Sequence, residues 1–206
     1  MKVVYTAITG NYDKPIQQPK VEGVDYILFT DDPNLKSDDW EVRYIENLWH
    51  KAPKLDSIYY VGDYDLSLWI DGNVRLKQGY ENIFDTLGEN HIATFDAEWW
   101  HCAYTEIQQC IDIGYETFEN ANRTKVFLKL QDYPEENGLS ACTVLLRDTS
   151  QEVKEINEMW KLCVETFSKR DQFTFNYVLW KLGYTQSYFE GTIYNNPYLN
   201  WKQTHG

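Results

Sequence analysis

Five short apolar runs punctuate the first 95 residues, and helix-like stretches separate several of them. KVVYTAIT (2–9) ends at Gly10, DYILFT (25–30) ends at Asp31-Asp32-Pro33, and WEVRYIE (40–46) alternates. DLSLWID (65–71) stops at Gly72, and HIATF (91–95) follows. Each run is rich in β-branched or aromatic side chains and bounded by turn formers, which is the pattern of strands. Between them, residues 50–61 suit a helix with Pro53 in its first turn and Gly62 at its end, and 79–88 suit a shorter one. Strands alternating with helices predict an α/β domain whose mixed, mostly parallel sheet is flanked by helices.

The remainder is more helical. Residues 103–117 and 121–132 carry helical spacing, and SACTVLLR (140–147) reads as a strand. Thr149 and Glu152 form a capping-box pair opening a helix to about 167. Ser168 and Asp171 make a looser pair before a last helix, where Phe175, Val178, Leu179 and Leu182 share a face and which Gly183 ends.

In an open α/β sheet, ligands bind beyond the carboxyl ends of the strands. Gly10, Asp31 and Asp71 each follow a predicted strand, so the fold can bring them to one crevice. Asp71-Gly72-Asn73 offers a carboxylate and an amide oxygen to a hard cation such as magnesium or manganese. The same tripeptide is also a hairpin signal. Thr9-Gly10-Asn11-Tyr12-Asp13 is suited either to a nucleoside or to a plain turn, and Asp31 to a ribose or to a turn before Pro33. In HKAPK (50–54), Lys54 can meet a diphosphate or simply be solvated. In EWWHCAYTE (98–106), Trp99, Trp100, His101, Tyr104 and Glu106 suit a sugar-binding wall or a core. Arg170, Asp171 and Gln172 open the last helix, where Asp171 serves as a helix cap or as a group that orients or accepts from a hydroxyl.

Composition narrows the partners. The 206 residues carry 32 acidic and 19 basic side chains, a net charge of −13 with no dense basic run, so nucleic acid is not expected as a partner. A phosphorylated ligand would need a metal or a few focused cations. Aromatics make up 16%, enough for a large aromatic core or a stacking platform. The four cysteines show no zinc spacing and read as reduced thiols. No apolar run reaches membrane-spanning length, and MKVVYTAITG turns polar too early for a signal peptide, so a soluble, cytoplasmic chain is expected. Nucleophile-elbow, Walker A, GxGxxG and HExxH motifs are absent.

Taken in order, VVYTAITGNYD, DYILFTDDP, WEVR, SLWIDGNVRL and RDQFTFNYVLWK resemble a glycosyltransferase family. Its members include plant proteins implicated in seed mucilage and pollen-tube turgor, and it was long catalogued as a domain of unknown function. The resemblance covers roughly residues 3–182. EWWHCAYTEIQQC is similar to that family's histidine-containing segment, and ENGLSACTVLLR to the strand before its final helices.

The resemblance implies a GT-A-like domain over 1–206, with a nucleotide-binding half to about 95 and an acceptor-binding half beyond it. It implies transfer from a nucleotide-sugar donor, taken as UDP-linked, to a glycan or other hydroxyl-bearing acceptor with manganese or magnesium. Thr6, Thr9, Gly10, Tyr12 and Asp31 are then expected at the nucleoside, and Lys54 and Asp71 at the diphosphate. Asp71, Asn73 and His205 are the candidate metal ligands, with neutral Asn73 departing from an Asp-x-Asp motif. Arg170, Asp171 and Gln172 are expected by the transferred sugar, and the Arg-Asp-Gln analogy implies retention of configuration. Trp99, Trp100, His101 and Glu106 fall on the acceptor side. Two other readings stand beside this one: a metal-dependent amide or lipid hydrolase, since one branch of the family is described as ceramidase-like, and a non-catalytic carbohydrate-binding domain.

Overall fold

The structure, a computed structural model, describes residues 1–97 and 101–201. The chain opens with β1 (Lys2–Ile8), β2 (Val24–Thr30) and β3 (Glu41–Tyr44), then α1 (Ala52–Leu55), α2 (Ser57–Val61), β4 (Leu66–Ile70) and β5 (Val74–Leu76). A 3₁₀ turn (Tyr80–Asp85) precedes β6 (Ile92–Asp96), α3 (Ala103–Asp112), α4 (Phe118–Leu130) and β7 (Ser140–Arg147). The chain continues through α5 (Gln151–Thr166), α6 (Gln172–Leu182), β8 (Ser187–Tyr188) and β9 (Leu199–Trp201).

One seven-stranded sheet runs in the order β3-β2-β1-β4-β7-β6-β8. Its pairs are parallel except on both edges of β7, which is antiparallel to β4 and β6. The strand order reverses between β1 and β4, so the ends of these two strands flank the crevice where an open sheet of this kind takes its ligand. The expected mixed, mostly parallel sheet flanked by helices is what forms.

Interior strands β1, β2, β4 and β7 are almost continuously buried, as strands covered on both faces must be. α6 lies between β7, α3 and α5. From Phe173 to Leu179 all its residues are buried, so it has no single apolar face of the kind expected from Phe175, Val178, Leu179 and Leu182. Phe173 and Phe175 are wholly enclosed. Each contributes roughly 1.5–3 kcal/mol of transfer free energy, enough to pin the start of α6 against the sheet.

Several expected elements differ. The helix over 50–61 breaks at Asp56, whose φ of −137° and ψ of 60° are not helical. The Asp56 carboxylate accepts the Tyr59 amide at 3.3 Å and starts α2 instead. The 79–88 helix is a 3₁₀ turn. The 103–117 helix ends at Asp112, where Gly114 at φ 75° takes the left-handed position and the Tyr115 amide returns to the Cys110 carbonyl. The cap of α5 is Ser150, accepting from Val153 at 3.3 Å, rather than Thr149. β5 pairs with β9 in a separate two-stranded sheet. At two or three residues, β5, β8 and β9 are too short to carry a periodic signal. The four cysteines are free and buried. Among the described residues no helix is long and apolar enough to cross a membrane.

Candidate active site

The first wall is the turn after β1. The Tyr12 amide bonds the Thr9 carbonyl at 3.2 Å, and Gly10 and Asn11 both take left-handed backbone, at φ 60° and 53°. Glycine enters that region without strain. The Gly10 amide donates to Asp31 Oδ1 at 2.9 Å, so the end of β2 holds the turn after β1.

The second wall is the end of β4. The Asp71 amide adds one more bond to the β7 ladder, at the Thr143 carbonyl (3.0 Å), and the Val74 amide closes a turn on the Asp71 carbonyl (3.0 Å). Asp71-Gly72-Asn73 is therefore a turn and a cleft wall at once. It is not a hairpin, because β5 leaves to pair with β9. Asp71 Oδ1 accepts from Trp69 Nε1 at 2.8 Å and from Lys54 Nζ at 3.3 Å. Gly72 leaves room for close approach: a β-carbon there would sit 3.3 Å from Asp13 Oδ2 and 3.4 Å from Ile8 Cγ1.

Between the walls lies a buried charge network. Lys51 Nζ donates to Asp171 Oδ1 at 2.7 Å, and Lys54 Nζ meets Asp171 Oδ2 at 2.5 Å. Lys54 is 4% exposed and Asp171 7%. Burial opposes the charge on Asp171, but Lys51 and Lys54 outweigh it and hold the carboxyl well below the usual range. Burial likewise opposes the charge on Lys54, and Asp171 and Asp71 raise it above the ordinary lysine value. Asp171 occupies the N-cap position of α6 yet makes no side-chain cap bond. The capping role expected with Ser168 is not made, because the carboxylate turns to the lysines. Trp160 Nε1 fixes the Asp171 carbonyl at 2.9 Å, and Gln172 Nε2 donates to the Ser140 carbonyl at 2.9 Å.

The far side comes from α3. Glu106, 6% exposed, accepts from the Cys110 thiol at 3.4 Å and has Arg170 Nη2 at 3.8 Å. Burial pushes the Cys110 thiol up to about 12, so it remains an S–H donor. The Arg170 guanidinium lies 5.6 Å from the ring centre of Tyr115. Tyr12, Tyr115 and Tyr194 stand exposed at the mouth.

These elements enclose one cleft of about 1060 Å³, large enough for a drug-sized or larger ligand. Thr9, Gly10, Tyr12, Lys54, Asp71, Asn73, Glu106, Arg170, Asp171 and Gln172 all line it. Thr6 does not: it is buried in the β1–β2 ladder opposite Leu28. Asp31 reaches the cleft only through Gly10, and exposed His101 is not in its lining. Trp99, Trp100 and His205 lie outside the described residues. Several lining residues lie outside the set expected from the sequence, among them Lys51, His50 and Asp13. Partial burial and neighbouring Lys51 lower the His50 pKa, leaving a neutral imidazole at the rim. Lys51 was the most accessible to sequence reasoning, since it lies one helical turn before Lys54 in HKAPK.

The fold is that of the GT-A glycosyltransferases. Two structures of the galactosyltransferase LgtC superimpose on 92% of this chain. An active-site mutant does so with a TM-score of 0.54 and 15% identity over 72% of its own length. The complex with donor and acceptor sugar analogs gives 0.51 and 14% over 73%. The bifunctional glycosyltransferase WbbM, in its apo form, matches 84% of this chain with a TM-score of 0.51 and 11% identity, and the chain spans 36% of it. No family model and no curated protein matches the chain.

Proposed function

We propose that the protein is a glycosyltransferase that moves a sugar from a nucleoside-diphosphate donor, UDP-linked, to a hydroxyl-bearing acceptor. Its sequence pattern resembles that of the mucilage- and turgor-related family. One observation carries this reading: in a GT-A fold, the turn after β1, the Asp71 turn after β4, the lysine pair and the Arg170-Asp171-Gln172 segment all meet in a single cleft.

In this reading the Thr9–Tyr12 turn receives the nucleoside, with the Tyr12 ring against the base. Lys51 and Lys54 face the diphosphate and offset the charge that builds on it as it leaves. Asp171 orients both ammonium groups. Those same lysines make it a weak proton acceptor, because a carboxylate held so far below its usual pKa has little affinity for a proton. With its amide nitrogen fixed on Ser140, Gln172 presents its carbonyl oxygen to the transferred sugar. Glu106 and Arg170 hold acceptor hydroxyls.

The charge balance favours a divalent cation. Among the described residues three cations line the cleft (Lys51, Lys54, Arg170) against four carboxylates (Asp13, Asp71, Glu106, Asp171), so these side chains alone do not offset a diphosphate. Asp71 and Asn73 would hold manganese or magnesium. Asp71 Oδ1 is taken by Trp69 and Lys54, Oδ2 carries no hydrogen bond among the described residues, and hard oxygen donors suit either ion. Among those residues no three His, Cys, Asp or Glu side chains cluster as a metal site, so phosphate oxygens would complete the shell. When bound, such an ion neutralises the diphosphate and eases its departure.

Calorimetry with UDP, with and without manganese, tests the reading. Binding that manganese strengthens at least about tenfold, and that Asp71→Ala abolishes, is the expected result. Equal nucleotide release from UDP- and GDP-sugars by parent and Asp71→Ala would remove Asp71 from the mechanism.

A further inference from the structure

Arg147, the last residue of β7, is fully buried, and a guanidinium is a cation wherever it sits. Among the described residues no carboxylate pairs with it. Nη1 donates to the Lys54 carbonyl at 2.7 Å and to Asn157 Oδ1 at 3.0 Å, and Nη2 donates to the Tyr5 hydroxyl. Nε has no partner. A buried charge without a counter-ion is destabilising, and an apolar residue would pack there at lower cost. Strand chemistry therefore does not explain it.

Its first contact does. The helix break at Asp56 leaves the Lys54 carbonyl without the backbone amide it would meet in a continuous helix, and a buried carbonyl must be satisfied. Arg147 takes it up. Tyr5 on β1 fixes one arm of the guanidinium. Asn157 on α5 fixes the other and is itself tied to Ser57 Oγ at 3.0 Å. The last turn of α1 is thereby clamped to the sheet from below. On its upper side Lys54 reaches Asp171 and Asp71, and Lys51, one turn earlier, reaches Asp171.

We propose that Arg147 is the positioning residue of the lysine pair: it sets the depth at which Lys51 and Lys54 enter the cleft. It touches no substrate and acts only through the backbone of α1. The affinity test below rests on the donor reading given above; the crystallographic test does not.

Two mild variants keep the core filled. Arg147→Lys retains the charge but loses the fork, and Tyr5→Phe removes a single anchoring hydroxyl. In crystal structures of both, Lys54 Nζ is expected to leave Asp71, Asp171 or both; unchanged contacts in both variants overturn the proposal. In calorimetry, Arg147→Lys is expected to weaken UDP about tenfold while uridine, which lacks the diphosphate, binds as to the parent. In a Lys54→Met background the same change should add clearly less than in the parent, only what Lys51 loses, because both lysines hang on one positioning residue. A parallel loss for UDP and uridine, or full additivity with Lys54→Met, overturns the proposal by showing a general packing defect. A parent that binds neither ligand refutes the donor reading alone, and the crystal structures still decide the clamp.

Discussion

At the scale of single residues, Asp171 shows how a side chain can have the spacing of a helix cap and make no cap bond. Ser168 and Asp171 have the spacing of a helix start, and from sequence the carboxylate fits a cap as well as a site. The deciding partners, Lys51 and Lys54, lie about 120 positions away on α1, beyond the reach of any local pattern. Because the folded pKa of Asp171 is depressed, the unfolded chain takes up the proton first. The contribution of the pair is complete above the unfolded carboxyl value near about pH 4 and drains away as pH falls toward the folded value. Asp171→Asn should therefore cost about 3–5 kcal/mol in urea unfolding at neutral pH, because it strands two ammonium groups, one of them deeply buried. It should also flatten the loss of stability below about pH 4 relative to the parent. A variant as stable as the parent at both pH values would show that the lysines find other partners.

At the scale of elements, what could be read in advance were the long strands and their terminating residues. β1, β2, β4, β6 and β7 were legible because β-branched and aromatic runs ended at Gly10, Asp31, Gly72 and similar stops. The break in the 50–61 helix was not legible: Asp56 suits a helix surface as readily as a cap, and Arg147, which takes up the freed Lys54 carbonyl, lies 93 positions further along the chain. Asp31, expected at the ribose, braces the Gly10 amide. Asp31→Ala should accordingly weaken UDP severalfold by loosening the turn, while unfolding free energy changes by only about 0.5–1.5 kcal/mol for the lost hydrogen bond. Gly72→Ala brings a methyl against Asp13 and Ile8 at contacts tighter than usual. Its effect is expected on manganese-dependent UDP affinity more than on melting temperature, and the reverse ranking would make Gly72 a purely structural residue.

At the scale of the whole molecule, the net charge of −13 would repel the nucleotide of the proposed donor at long range. Screening that long-range field should speed association. Stopped-flow measurements from low to physiological ionic strength are expected to show the UDP on-rate rising with salt, opposite to a basic phosphate site. Composition disclosed this field, but the location of the few cations that oppose it emerged only from the fold. β7 carries a different consequence. It hydrogen-bonds β4 on one edge and β6 on the other, so a strand from the second part of the polypeptide is stitched into the middle of the sheet built by the first. The two parts are thus not interchangeable modules: a chimera joined near residue 97 would have to import the whole of β7 and its register.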